Sequence, residues 1–191
     1  MHKFYLFIDT TQSTKCCLSI YNDKFEVLET KIFETQNNLI DLINPALNEI
    51  FNKTKLSFSD INHIYVNIGP GVFTGIRVGV SVTKTFHLVY PNIEIYTINS
   101  LKLKTYGHGI GVIDAKSNKF FVGVYEHGLE LLPPQLIEQN ELDEIIKKYH
   151  YLPLIDLNQS LEFTLNASTI KLFEQCQDVL NLEPLYIKPA V

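Results

Sequence analysis

With 191 residues, 46% of them hydrophobic and including twelve phenylalanines and ten tyrosines, the chain can fill the core of one medium domain or two small lobes. A net charge of −5 argues against a protein that grips a nucleic-acid backbone unaided, because phosphate binding needs clustered lysine and arginine. Three cysteines, with Cys16 and Cys17 adjacent and no CxxC spacing, exclude a disulfide framework or a zinc ribbon.

Strands are predicted over 4–9, 16–21 and 24–33, the last two joined by a hairpin turn at Asn22 and Asp23. The apolar start at 4–8 is too short for a signal peptide and runs into Asp9, and no run reaches membrane-spanning length, so a cytoplasmic chain with reduced, buried cysteines is expected. A helix follows a capping asparagine at position 37 or 38, with Leu39, Ile43, Ala46, Leu47, Ile50 and Phe51 on one face and Pro45 inside it.

A β-branched strand over 63–68 then meets GPGVFTGIRVG at 69–79. Gly69 and Gly71 admit unusual backbone angles or a close approach, Pro70 stiffens the turn, and Thr74 is placed to cap a helix over 74–89. The loop reads either as an anion cradle at a helix start or as a tight strand-to-helix connection; it lacks GxGxxG and GxxxxGK[ST]. Arg77 reads as a buried arginine that needs a carboxylate, carbonyl or anion partner, since a helix start disfavours a cation. In this helix Val78, Val82 and Phe86 line one side while Ile76, Val80 and His87 line a second. A sheet buries only one side, so the other lies in a deep core or beneath another chain, and Gly75 and Gly79 would let a neighbouring helix approach.

A strand over 94–98 completes a βββαβαβ order, with parallel pairing expected across the helical crossovers. Beyond a short helix from Ser100 and a break at 107–109, strands are predicted over 111–114 and 119–125, then an extended run over 129–138 containing Pro133 and Pro134. Helix 141–149, strand 152–156, helix 167–180 and a tail strand 185–188 finish the chain. Lys102, Lys104, Lys116 and Lys119 read as solvated surface rather than a phosphate track.

No histidine pair among His2, His63, His87, His108, His127 and His150 has i, i+4 spacing and no HExxH occurs, so no metal site is expected. Neither Cys16 nor Cys17 has an adjacent base that would make it a nucleophile. Asp9 is either a strand-end hydrogen-bonding group or a magnesium ligand.

GPGVFTGIRVG together with FIDTTQSTKCCLSIYND, VIDAKSNKFFVGVY and LEPLYIKPAV, in this order, resembles the TsaB family, also called YeaZ. The resemblance implies an α/β actin-like ATPase (ASKHA, ribonuclease H-like) fold of two lobes, 1–106 and a reduced 107–191. It also implies a role in threonylcarbamoyl modification of the tRNA adenosine beside the anticodon, as a non-catalytic subunit supporting a TsaD-like catalytic subunit, with a TsaE-like ATPase as further partner and tRNA met only indirectly. A homodimer through the same helices is the other association to consider, and a nucleotide-binding enzyme is the alternative function. Asp9, Thr10 and Thr11 match the family's first acidic turn; Gly69, Pro70, Gly71, Phe73, Thr74, Gly75 and Arg77 match its central motif; Asp114 and Ala115 match its aspartate-alanine step. Val72, Lys116 and Thr35 depart from the usual serine, arginine and histidine.

The interface so implied comprises Leu39, Ile43, Leu47, Ile50, Gly75, Val78, Gly79, Val82 and Phe86. The anion or nucleotide set is Asp9, Thr10, Gly69, Gly71, Thr74 and Arg77. Catalytic residues and cofactors are expected on this chain alone in neither set, and ATP only at the level of a complex.

Overall fold

The computed structural model of the chain describes residues 3–35, 38–156 and 163–187. Strands β1 (Phe4–Asp9), β2 (Lys15–Asn22) and β3 (Val27–Glu34) form an antiparallel meander. Helix α1 (Leu39–Thr54), strand β4 (Ile61–Asn67), helix α2 (Phe73–Val89) and strand β5 (Glu94–Ile98) follow, with β4 and β5 parallel to β1 across the helical crossovers. Pro45 is accommodated inside α1.

Alternation of side chains along β1 sorts the core into two layers. Leu6 and Ile8 join Leu18, Ile20, Ile64 and Val66 beneath Ile43, Leu47 and Ile50 of α1 and Phe86 of α2. Tyr5 and Phe7 join Tyr21, Tyr65 and Ile98 on the opposite face, packed against Leu103, Leu165 and Phe173.

Helix α3 (Ser100–Lys104) leads to a second sheet of β6 (Gly109–Lys116), β7 (Lys119–Glu126), β8 (Leu129–Glu138) and β9 (Leu154–Asp156), in the order β8-β7-β6-β9. Helix α4 (Gln139–Lys148) covers one face of it through Leu142. Leu101 of α3 meets Tyr125, whose hydroxyl donates to Asn99 Oδ1 at 2.9 Å and ties the two sheets together.

Four sequence expectations need correction. The strand expected from residue 24 begins at Val27, because Asn22 Oδ1 accepts from the amides of Lys24 and Glu26 and draws these residues into the turn. The helix expected over 167–180 is replaced by a 3₁₀ turn, Thr169–Leu172, and strand β10 (Glu174–Gln175), which pairs antiparallel with β5 in the first sheet. Phe173 packs on one face of that sheet and Val179 on the other, so the chain must cross the sheet edge where a helix would stay on one side. Of the tail strand expected at 185–188, residues 185–187 are not in a strand, though the Leu185 amide donates to the Ile68 carbonyl at 2.8 Å, and Lys188 lies outside the described residues, as does Asn37. Lys104, expected in solvent, is buried, and burial pulls its ammonium pKa below the ordinary value against the opposing pull of Asp9.

Cys16 is buried and Cys17 and Cys176 are half-buried. Burial pushes the Cys16 thiol up to about 12. No helix of the described residues is long and apolar enough to cross a membrane.

Candidate functional site

The glycine motif works as a latch between strand ends. Asp9 Oδ1 accepts from the Thr11 amide at 2.9 Å and the Thr11 hydroxyl at 2.7 Å, while Oδ2 accepts from Asn67 Nδ2 at 3.1 Å. Asn67 Oδ1 takes the Gly69 amide at 3.2 Å and the Ser100 hydroxyl at 2.9 Å, so the ends of β1 and β4 and the start of α3 meet at one amide side chain. The Val72 amide donates to the Thr11 carbonyl at 2.8 Å, and Ser100 donates from its backbone to the Gly69 carbonyl at 2.7 Å. This side chain network is buried, which makes every satisfied polar atom costly to strip of its partner.

Glycine is required here by proximity. A Cβ on Gly71 or Gly75 would press into the backbone carbonyls of Thr11 and Thr10, respectively. The Thr10 hydroxyl donates to the Gly75 carbonyl at 2.7 Å. Gly75 and Gly79 therefore accept the turn after β1, where a neighbouring helix was expected.

Helix α2 starts at Phe73 with Val72 as its cap residue, one position earlier than a Thr74 cap would give. The hydrogen bond from Val72 to Thr11 already fixes the turn, so a side-chain acceptor is not needed, and Thr74 is exposed. Of the anion set, Asp9, Thr10, Gly69 and Gly71 lie inside the latch while Thr74 and Arg77 lie outside it. Asp9 and Thr10 make hydrogen bonds within the chain, and the approach spaces at Gly71 and Gly75 are filled by the chain itself. Asp114, in the hairpin between β6 and β7, accepts from the Lys116 amide at 2.7 Å, which holds its carboxyl below the usual range. No group of three or more metal-ligating side chains occurs among the described residues.

The other face of α2 opens on a groove of about 1010 Å³ between α1 and α2. Of the nine expected interface residues, Ile43, Leu47, Val78, Val82 and Phe86 line it. Leu39 and Ile50 lie in the helix–sheet core, and Gly75 and Gly79 face Thr10. Ile76 and Val80, the second apolar side of α2, are buried, whereas Val78 and Val82 are only half-buried. Sequence reasoning missed Ile40, Phe73 and Val89, which line the groove while 66%, 58% and 62% exposed, and Phe58 at its floor. Ile40 was within reach, since it stands three residues before Ile43 and seven before Leu47.

Arg77 is exposed, contrary to its reading as a buried cation. Its guanidinium carbon lies 5.1 Å from the centre of the Phe73 ring, and that ring is 5.6 Å from Tyr186. The aromatic surface supplies the partner that the helix start withholds.

A mixed sheet in the order β10-β5-β4-β1-β2-β3, with α1 and α2 on one face and α3 on the other, joined to a smaller second sheet, defines a two-lobed α/β protein of the actin-like, ribonuclease H-like class. The family model for TsaD, tRNA N6-adenosine threonylcarbamoyltransferase, matches residues 33–151. The uncharacterized protein MG208 of Mycoplasma genitalium is 30% identical over 194 residues, covering 100% of this chain and 98% of the relative. The tRNA threonylcarbamoyladenosine biosynthesis protein TsaB of Bacillus subtilis is 32% identical over 102 residues, covering 50% of this chain and 44% of the relative. Among solved structures, an uncharacterized Pseudomonas aeruginosa protein with similarity to the peptidase YeaZ superposes with a TM-score of 0.72 at 14% identity, covering 97% of this chain and 100% of that one, and so shares the fold. The chain belongs to the TsaB family, also called YeaZ.

Proposed function

We propose that this chain takes part in threonylcarbamoyladenosine modification of tRNA as a non-catalytic subunit that docks and supports a TsaD-like catalytic subunit through the α1/α2 groove. The observation that carries the reading is the groove itself: apolar side chains of both helices stand open beside a sheet that already has its own core. Burying an exposed apolar surface of this kind on association is favourable in proportion to its area. The occupied Asp9 and Thr10 support a structural rather than a catalytic use of the glycine motif. The net charge of −5 supports indirect contact with tRNA.

ATP, a TsaE-like ATPase and tRNA then meet the assembled complex rather than this chain alone, and a homodimer formed through the same groove would compete with the heterodimer. Val78→Asp and Val82→Asp each bring a carboxylate into the groove at a half-buried position. Both are expected to abolish co-purification with the TsaD-like subunit of the same organism and to remove the modified nucleoside from a reconstituted reaction, while each isolated variant stays folded. Wild-type co-purification by both variants overturns the docking reading. Tight ATP binding with turnover by the isolated wild-type chain overturns the non-catalytic one.

A further inference from the structure

Among the described residues lining the α1/α2 groove, Arg77 alone carries a charge at neutral pH. Its neighbours along the groove are aliphatic, aromatic or uncharged polar: Asn44 and Asn48 on α1, Thr74, Ser81 and Thr85 on α2. No carboxylate of the described residues forms an ion pair with Arg77, whereas Lys31 and Lys53 on the neighbouring surface pair with Glu49. The Arg77 guanidinium lies over the Phe73 ring, a contact that uses its charge and none of its N–H donors, and Arg77 lines the groove. Tyr186 flanks Phe73 and limits the positions this ring can take.

A subunit seated in the groove would take those donors out of water. An arginine desolvated without an acceptor is left as an uncompensated buried charge, which opposes what the apolar lining contributes.

We propose that Arg77 is the specificity residue of this interface and that the docked TsaD-like subunit carries a carboxylate placed to receive it. The inference rests on the docking reading above. A planar guanidinium matches a carboxylate through two parallel hydrogen bonds, and a lone cation in an apolar frame calls for a lone anion. A phosphate backbone is a poorer match, since it would find no second cation along the groove. The same pairing gives discrimination, because a relative with an apolar or basic residue at that place would leave one or two charges stranded.

The test measures affinity for the TsaD-like subunit by titration calorimetry at low and at high salt, using the full chain and its variants Arg77→Gln, Arg77→Glu, Arg77→Lys and Val82→Asp. Arg77→Gln is expected to bind about 30-fold more weakly at both salt concentrations, since the charge pair removed is covered in the complex and therefore little screened. Arg77→Glu should bind more weakly still, and Arg77→Lys should recover part of the loss. The midpoint of denaturation of isolated Arg77→Gln should match the wild type, because the side chain is exposed. If Arg77→Gln binds like the wild type at both salt concentrations while Val82→Asp does not bind, docking stands and the carboxylate pairing falls. If Arg77→Glu binds as well as Arg77→Gln, the acceptor is a neutral carbonyl and the pairing falls equally. Wild-type affinity of Val82→Asp removes the docking reading and this inference with it.

Discussion

Replacing Gly75 by alanine opposes two effects of known sign. In a helix interior alanine is favoured over glycine by about 1 kcal/mol, so propensity alone predicts a more stable protein. The added methyl, however, would stand against the Thr10 carbonyl oxygen, a backbone atom that cannot swing aside. Moving it overpacks the junction, at a cost of about 1–3 kcal/mol. It also pulls apart the 2.7 Å hydrogen bond from the Thr10 hydroxyl to the Gly75 carbonyl. Leaving that buried pair unmade costs about 1–3 kcal/mol more. The balance is a net loss of about 1–5 kcal/mol, which for a chain of this length lowers the thermal midpoint by about 3–15 °C. Thermal and urea denaturation of the purified variant measure it directly. An alanine variant as stable as the wild type, or more stable, would refute the latch.

Asp9→Ala removes the acceptor of three buried hydrogen bonds and is expected to destabilise the isolated chain by about 2–4 kcal/mol in urea denaturation; an unchanged midpoint would contradict its role in holding the strand ends together. His63 stacks on Tyr5 with ring centres 4.8 Å apart, and burial lowers its pKa despite Glu94 nearby. Protons then bind more readily to the unfolded chain, so His63 lends a stability that is complete above the unfolded imidazole value of about 6.5 and is lost as pH falls through its lower folded value. His63→Phe should flatten that acid limb in denaturation curves measured across the range, and an unaltered limb would contradict the assignment.

Local patterns carried much of this architecture because β1 and β4 are short apolar runs buried along most of their length, while α2 buries Ile76, Val80, Thr83 and Phe86 at helical spacing. Leu6 and Ile8 alternate with Phe7 as a strand with both faces covered demands. The groove showed in part through Val78 and Val82, whose side of α2 exceeds what one sheet can hide. Residues near 167–180 misled, because Phe173 and Val179 serve opposite faces of the sheet and no helical period records a chain passing around an edge. Arg77 misled for a related reason. Its burial was inferred from the helix start, while its actual partner is a ring four positions earlier on the same helix, and the placement of that ring beside Tyr186 depends on a contact more than a hundred residues away in sequence. Lys104 could not be read as buried, since nothing in its local sequence marks the burial that packing beyond its own short helix imposes.

Hydrogen–deuterium exchange on the chain, alone and mixed with the TsaD-like subunit of the same organism, tests the docking claim most directly. Amides should slow on complex formation in peptides spanning α1 and α2, 39–54 and 73–89, and stay unchanged in β7 and β8 of the second sheet. Slowing confined to the second sheet, with both helices exchanging as they do in the isolated chain, would contradict the account.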